Sequence, residues 1–184
     1  MIAIALFAVA LVGANPHVLI ATNLGSIEVE VDEQQAPATA ANFLRYVDAG
    51  RYTGGRFHRT VTMQNQPDKR IKIEVIQASV NPKFEKDDFP PILLERTNRT
   101  GLKHLDGTIS MARDGADTAT SDFFICIGNQ PELDFGGKRN PDGQGFAAFG
   151  HVVKGMDVVR KIQKSKAEEQ TLKPPIEILT IIRK

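Results

Sequence analysis

The chain has 184 residues, of which 41% are hydrophobic and 24% are charged, and its formal net charge is +1. This is the composition of a globular protein with a real hydrophobic core, so wholesale disorder is excluded. The near-zero charge argues against nucleic acid as a partner, because phosphate binding needs a surplus of Lys and Arg. The single cysteine, Cys126, excludes an intrachain disulfide and argues against a cysteine-based zinc site.

The first feature along the chain is an apolar segment without any charged residue. The run from Ile2 to Ala14 is too short for the roughly 20 residues that a membrane-spanning helix needs, so we expect no stable membrane insertion. It is typical of a signal peptide over residues 1–14, followed by a single domain over 15–184. We therefore expect a periplasmic or secreted protein. The alternative is that the segment forms a buried first strand, in which case the protein is cytoplasmic.

The next segments predict a hairpin followed by a helix. Residues 18–22 and 27–31 are apolar or alternating runs, and Gly25 in the loop between them permits a positive φ. Pro37 then opens a helix, where its missing N–H costs nothing, and an apolar stripe continues until Gly50 ends the helix.

Most of the remaining periodic segments are strand-like. A second helix is predicted over 156–164, where a basic last turn suits the negative end of the helix dipole. Strand patterns occupy residues 70–80, 107–112, 122–127, 146–153 and 176–182. Many strands with only two helices favour an antiparallel barrel or sandwich. Two long loops, 113–121 and 128–145, are expected to carry function, because long loops in compact domains usually do.

The standard catalytic motifs are absent from the chain. It has no Gly-x-Ser-x-Gly elbow, and Gly136-Gly137-Lys138 lacks the following Ser or Thr that binds magnesium in a phosphate loop. The four histidines are scattered, without the spacing of a zinc-binding helix. We therefore expect a site that works without a metal, a cofactor or a covalent nucleophile.

Five segments occur in an order that carries a family resemblance. They are Phe57-His58-Arg59, Gln77, Gly107 to Arg113, Ser121 to Ile125, and Phe146 to Gly150. In this order they resemble the cyclophilin family of peptidyl-prolyl isomerases, its bacterial members in particular. The resemblance covers nearly everything from Val18 to the end of the chain. It implies a closed barrel of eight antiparallel strands capped by two α-helices, which agrees with the independent pattern of strands and helices.

The resemblance also implies an activity and a catalytic residue. Cyclophilins speed rotation about the peptide bond before proline, whose intrinsic barrier is ~18–20 kcal/mol. Arg59 stands at the position of the family's catalytic arginine. Because the prolyl nitrogen becomes a better acceptor as the amide twists, a fixed guanidinium donor stabilises the twisted form selectively. The implied partners are proline-containing peptides and unfolded or folding proteins, bound by a monomer.

The family's substrate-binding positions fall on a further set of residues. Phe124 matches the phenylalanine of the proline pocket, Leu133 matches the pocket leucine, and Gln77 matches the glutamine that fixes the substrate carbonyl. Met111 and Ala112 match the wall beside the pocket. An alternative is that Phe124, Met111 and Ala112 are plain core residues, and for Met111 the two interpretations weigh about the same.

The chain departs from the family pattern between Arg59 and Gln77. Residues 60–73 form an insertion, in which Gln66-Pro67-Asp68 predicts a turn. Glu74 and Val75 then stand where the family has Phe and Met. We therefore expect a pocket in which Val75 lines the wall and which has lost an aromatic ring and gained a carboxylate.

Three further positions differ from the usual residue. Asp122 replaces a glutamine, and Phe146 replaces a histidine but remains able to pack on the proline ring. Glu132 stands where eukaryotic members often have a tryptophan. The added acids predict either a preference for basic residues beside the proline or weakened catalysis.

Two functions from different classes stay open at this point. Arg59 favours an active isomerase that assists the folding of exported proteins, and we rank this function first. Glu74, Val75 and the insertion favour a proline-peptide binding module or chaperone with weak or no turnover. A structural barrel without a working groove is disfavoured, because Arg59, Gln77 and Phe124 occur together.

Overall fold

The computed structural model describes residues 13–184, so residues 1–12 of the expected signal peptide lie outside the described residues. Nine strands occur among residues 13–184, namely β1 His17–Thr22, β2 Gly25–Val31, β3 Gly55–Val61, β4 Val75–Ser79, β5 Thr108–Met111, β6 Phe123–Cys126, β7 Ala147–Lys154, β8 Ala167–Glu168 and β9 Thr171–Arg183. The helices are α1 Pro37–Asp48, α2 Thr97–Thr100 and α3 Met156–Gln163, with 3-10 turns at Pro82–Phe84 and Pro131–Leu133.

Eight of these strands close into an antiparallel barrel, which confirms the predicted fold class. Their order is β1-β2-β7-β5-β6-β4-β3-β9, and β9 pairs with β1 to close the ring. The two-residue strand β8 extends β9 as a short hairpin. Closure satisfies the backbone groups that an open edge would expose.

The first hairpin forms as the alternating pattern predicts. Ile27, Val29 and Val31 of β2 are fully buried. Gly25 has a φ of +135°, and a Cβ there would lie 2.8 Å from a methyl group of Val158 in α3. Glycine is therefore required at this turn both for its backbone conformation and for the close approach of the helix.

Helix α1 buries its apolar stripe against the barrel, where it contacts β7 and β9. Its N-terminal turn holds no acidic residue. Glu95 supplies the missing carboxylate from a distant loop, because its oxygens accept from the backbone N–H groups of Ala38 at 3.2 Å and Thr39 at 2.7 Å. Negative charge at this position stabilises the positive end of the helix dipole.

The helix count and one strand boundary differ from the sequence-based expectation. The sequence predicts two helices, whereas residues 13–184 also contain the one-turn helix α2, which ends at Gly101 with a φ of +77°. A helix of four residues is too short to show a periodic pattern. The strand expected from residue 70 begins only at Val75. None of the helices among residues 13–184 is long and apolar enough to cross a membrane.

Residues 62–74, which we call the strap, run between β3 and β4 without regular structure. The predicted turn is present, because the backbone N–H of Lys69 donates to the carbonyl of Gln66 at 3.2 Å. The buried Gln66 side chain holds the strap closed by donating to the carbonyls of Thr62 at 2.7 Å and Ile73 at 2.8 Å. One buried amide thus replaces the hydrogen bonds that a regular hairpin would form.

Candidate active site

A groove of about 990 Å³ lies on one face of the barrel. Its walls are formed by β3, β4 and β6, by the strap, and by the two long loops at 113–121 and 128–145. Both loops that the sequence marks as functional therefore contribute residues to the same concave surface. Concave surfaces of this size with a few polar groups are the usual form of binding sites.

The centre of the groove is an apolar pocket separate from the main core. Its cluster comprises Val61, Ile73, Val75, Phe124, Cys126 and Leu133, with Ala112 and Phe146 packed against it. The rings of Phe124 and Phe146 meet edge to face with their centroids 5.3 Å apart. The structure thus brings together the expected pocket residues Val75 of β4, Phe124 of β6 and Leu133 of the second loop, with Ala112 and Phe146 from positions that flank the loops. Ile73 of the strap joins them and adds an apolar side chain to this wall.

Three hydrogen-bonded polar residues, His104, Asp134 and Ser110, support Phe124. The His104 ring is stacked on Phe124 with a centroid distance of 5.9 Å and an interplanar angle of 16°. One ring nitrogen of His104 lies 2.8 Å from the carboxylate of Asp134, and the other lies 3.0 Å from the hydroxyl of Ser110. Ser110 and His104 are buried, at 0% and 1% exposed, so a substrate cannot reach this serine. The arrangement fixes the phenylalanine and is not a nucleophilic site.

Arg59 lies in β3 opposite Gln77 of β4, and the register of the two strands places both side chains on the groove. The guanidinium donates through Nη1 to Oε1 of Gln77 at 3.0 Å. It also donates through Nε and Nη2 to Oε1 of Gln170, at 3.0 and 2.6 Å. Partial burial lowers the pKa of Arg59 from its usual value, but the group stays charged at physiological pH. The result is a cationic donor whose orientation is fixed by two neutral amides.

Asp122 completes this chain of hydrogen bonds at its other end. Nε2 of Gln77 donates to Oδ2 of Asp122 at 3.0 Å. An ionised carboxylate only accepts, so the amide group of Gln77 turns its nitrogen to Asp122 and its oxygen to Arg59. Burial raises the pKa of Asp122 to about 6, while the hydrogen bond from Gln77 opposes this rise. The aspartate that departs from the family pattern therefore sets the orientation of the neighbouring glutamine.

The structure places three other residues away from the groove. Met111 is 1% exposed and packs in the main core, because alternate residues of a strand face opposite sides and Ala112 takes the groove side. The carboxylate of Glu74 accepts from Gln163 in α3 at 3.2 Å, so the expectation that it enters the pocket is wrong. The carboxylate of Glu132 accepts from the backbone N–H of Lys138 at 2.8 Å and stabilises its own loop.

Two residues that hold the site together, Gln170 and Arg139, carry no motif that sequence reasoning recognises. Gln170 lies in the turn between β8 and β9 and is 111 positions from Arg59 in the chain. Arg139 ties the loop to the strap by donating to Oε1 of Gln66 at 2.8 Å and to the carbonyl of Ile71 at 2.7 Å. These contacts join segments that are distant in sequence, so no local sequence pattern predicts them.

Comparisons with known proteins point to one family. The model of the cyclophilin type peptidyl-prolyl cis-trans isomerase family matches residues 17–183. The chain is 39% identical to peptidyl-prolyl cis-trans isomerase A of Dickeya dadantii over 84% of this chain and 74% of that protein. It is 36% identical to a peptidyl-prolyl cis-trans isomerase of Acinetobacter baylyi over 91% of this chain and 85% of that protein.

Solved structures agree with the fold. A cyclophilin type peptidyl-prolyl cis-trans isomerase of Cryptosporidium parvum superposes with a TM-score of 0.74 at 22% identity, covering 92% of this chain and 98% of that one. A second structure of it, determined in the presence of the dipeptide Ala-Pro, gives a TM-score of 0.72, also at 22% identity, covering 90% of this chain and 97% of that one.

Proposed function

This chain belongs to the cyclophilin-type peptidyl-prolyl cis-trans isomerase family, and from that premise we propose that Arg59 is its catalytic residue and that its clients are exported proteins. The observation that carries the first part is the fixed guanidinium of Arg59, held by Gln77 and Gln170 on the same groove as the apolar pocket of Phe124 and Phe146.

The reaction needs selective stabilisation of a twisted amide. In either planar isomer the lone pair of the prolyl nitrogen is delocalised into the carbonyl group, and it becomes available as an acceptor only when the bond twists. A proline ring seated against Phe124 and Phe146 keeps its nitrogen in place while the preceding carbonyl rotates. Arg59 then donates to that nitrogen in the transition state. Since the guanidinium is already oriented, no reorganisation is needed at the moment of reaction.

Gln77 has a second role in this proposal. Its amide nitrogen carries two N–H donors, and one of them is used by Asp122. The other N–H is free to bind a peptide carbonyl and so to hold the substrate backbone. Because Asp122 holds the nitrogen side of the amide towards itself, the substrate carbonyl has to approach beside Asp122.

The competing function is a binding module that holds proline peptides without turnover, and the engagement of Gln77 by Asp122 is the observation that favours it. The test is NMR exchange spectroscopy on an Ala-Pro peptide with a hundredfold excess of peptide over protein. We expect the cis and trans resonances to exchange faster when the protein is added. Shifted resonances without faster exchange would contradict the isomerase and leave the binding module.

The second part of the proposal concerns where the protein acts. The uncharged apolar segment ending at Ala14 supports export to the periplasm or the medium. Mass spectrometry of the protein from its native host should find an N-terminus near Asn15. Recovery of intact Met1 from the cytoplasm would contradict export.

A further inference from the structure

The groove is lined by one group of basic residues and one group of acidic residues, which we call its basic end and its acidic end. At one end, four basic residues come from the strap and the facing loop, namely Lys69, Arg70, Lys138 and Arg139. At the other end, four acidic residues come from segments after β4 and before β6, namely Glu85, Asp88, Asp114 and Asp122. The hydrogen-bonded Arg59 and Gln77 lie on the same groove.

The basic end is poorly neutralised by the protein itself. Among residues 13–184, the side chains of Lys69, Arg70 and Lys138 form no ion pair. Within the described part of the chain, Arg139 donates only to neutral oxygens in the strap. The pKa of Arg139 is lowered mainly by burial and to a smaller extent by the positive charge of Arg59.

Three carboxylates belong to the strap or the facing loop, and they offset only part of the basic charge. Asp142 is bound in a two-pronged pair by Arg113, at 2.8 and 3.0 Å. Glu132 accepts from a backbone N–H of its loop, and Asp68 is an exposed neighbour of Lys69. The strap therefore presents unpaired cations to anything that occupies the groove.

The acidic end is also incompletely neutralised. Glu85 is paired with Arg56 at 2.7 Å. Of the groups that the structure describes, only the hydroxyls of Tyr46 and Thr120 donate to Asp88, each at 3.0 Å. Asp114 accepts from no side chain among residues 13–184. Burial is the largest cause of the raised pKa of Asp122. The charges of Asp88, Glu85 and Asp114 also raise it, which is the expected effect of a negative potential.

We propose that the groove selects proline peptides that carry acidic residues on one side of the proline and basic residues on the other. The strap supplies the subsite for the carboxylates, and the aspartates beside β6 supply the subsite for the ammonium or guanidinium groups. This inference rests on the proposed function, because it specifies the substrate class of the same groove. It also assigns a role to the insertion that separates this chain from the family pattern. Complementary charge at two ends of a partly dry groove favours one substrate class and repels the others.

The test compares five peptides built on Ala-Pro, with two residues varied on each side. One is neutral, two carry Glu on one side and Lys on the other in the two possible orders, one carries Glu on both sides, and one carries Lys on both sides. Dissociation constants come from NMR titration at low salt, and kcat/KM comes from exchange spectroscopy. We expect at least one of the mixed-charge peptides to bind about five- to tenfold more tightly than the neutral peptide.

A charge-reversed strap tests whether the preference comes from these residues. In Lys69→Glu/Arg70→Glu, the affinity of the favoured mixed-charge peptide relative to the neutral peptide should fall to about one or below. The matched control is Lys161→Glu/Lys164→Glu, which makes the same change in net charge at exposed positions of α3 and its end. This control should keep the wild-type preference.

The outcomes separate this inference from the proposed function. The inference is overturned if no mixed-charge peptide binds at least fivefold more tightly than the neutral one, or if the preference survives in the reversed strap. The proposed function fails instead if the wild type binds peptides with this charge preference but accelerates exchange in none of them.

Discussion

Asp122→Asn removes one negative charge from the groove while keeping an oxygen that accepts from Gln77. The folded protein raises the pKa of Asp122 from 3.8 to about 6, so the fold favours the protonated carboxyl. Well below pH 3.8 the carboxyl group is protonated in both the folded and the unfolded chain, so its raised pKa costs no stability there. Between pH 4 and 6 the unfolded chain releases the proton first. Stability is therefore lost as the pH rises through the folded pKa.

The magnitude follows from the shift and from the exposure of the group. A shift from 3.8 to about 6 is about two units, which corresponds to roughly 3 kcal/mol at 1.36 kcal/mol per unit. Because 35% of the Asp122 side chain is exposed, solvent screens part of this, and we expect about 1–2 kcal/mol. The groups facing Asp122 are Gln77, the acidic residues at its end of the groove, and His58, whose ring lies 4.0 Å away and whose pKa is lowered by burial.

The assay is urea unfolding of wild type and Asp122→Asn at pH 8 and pH 4. We expect the stability of the variant relative to wild type to be greater at pH 8 than at pH 4 by about 1–2 kcal/mol. Asp68→Asn serves as the control, because its carboxyl is exposed in the strap turn and it should show no such difference. An equal effect of Asp122→Asn at both pH values would refute the assignment of a raised pKa to this group.

Three further predictions concern the residues around the site. Gln170→Ala removes two of the hydrogen bonds that orient Arg59 and should lower kcat about tenfold with little change in peptide affinity, measured by NMR exchange. Ile73→Ala should lower the free energy of unfolding by about 2–4 kcal/mol and weaken peptide binding, because it removes a buried apolar side chain from the pocket wall. Cyclosporin-type cyclic peptides should show no nanomolar affinity by calorimetry. Glu132 stands where eukaryotic members often have a tryptophan, and because its carboxylate is bound to its own loop it supplies neither an indole N–H nor an apolar face to a macrocycle.

Each of these has a clear contrary result. Unchanged kcat in Gln170→Ala would show that Gln77 alone holds the guanidinium. A loss of stability in Ile73→Ala without weaker peptide binding would show that the strap does not contribute to the part of the pocket that binds the peptide. Nanomolar binding of a cyclosporin would show that Glu132 does not control that affinity.

Locally encoded parts of the fold were predictable from the sequence. The hairpin at Gly25 and the helix that starts at Pro37 depend on neighbouring residues, and both are present where the pattern predicts them. The same holds for the turn at Gln66, which depends on Pro67 and Asp68. In contrast, α2 has one turn and owes its position to tertiary contacts, including the hydroxyl of Thr97, which accepts from the backbone N–H of Phe135 at 2.9 Å.

The candidate site was only partly predictable, for reasons of geometry. Strand alternation shows that Met111 and Ala112 face opposite sides of the sheet, but both sides are covered, so sequence alone does not say which side is the groove. The insertion leaves the alignment of Glu74 with the family pattern ambiguous, and in the structure its carboxylate accepts from Gln163 of α3. The contacts of Arg59 with Gln170 bring together residues that are far apart in the chain, and only the closed barrel reveals them.

The central claim is that Arg59 lowers the barrier to rotation, and the direct measurement is NMR exchange with wild type, Arg59→Ala and Arg59→Lys. Peptide affinity and melting temperature are recorded for each protein. Loss of one charge-assisted hydrogen bond corresponds to roughly 1.5–3 kcal/mol, so kcat should fall about ten- to a hundredfold in Arg59→Ala while affinity changes little. Arg59→Lys should restore little, because an ammonium group cannot span Gln77 and Gln170 as the planar guanidinium does. Unchanged turnover in a folded Arg59→Ala protein would contradict this account.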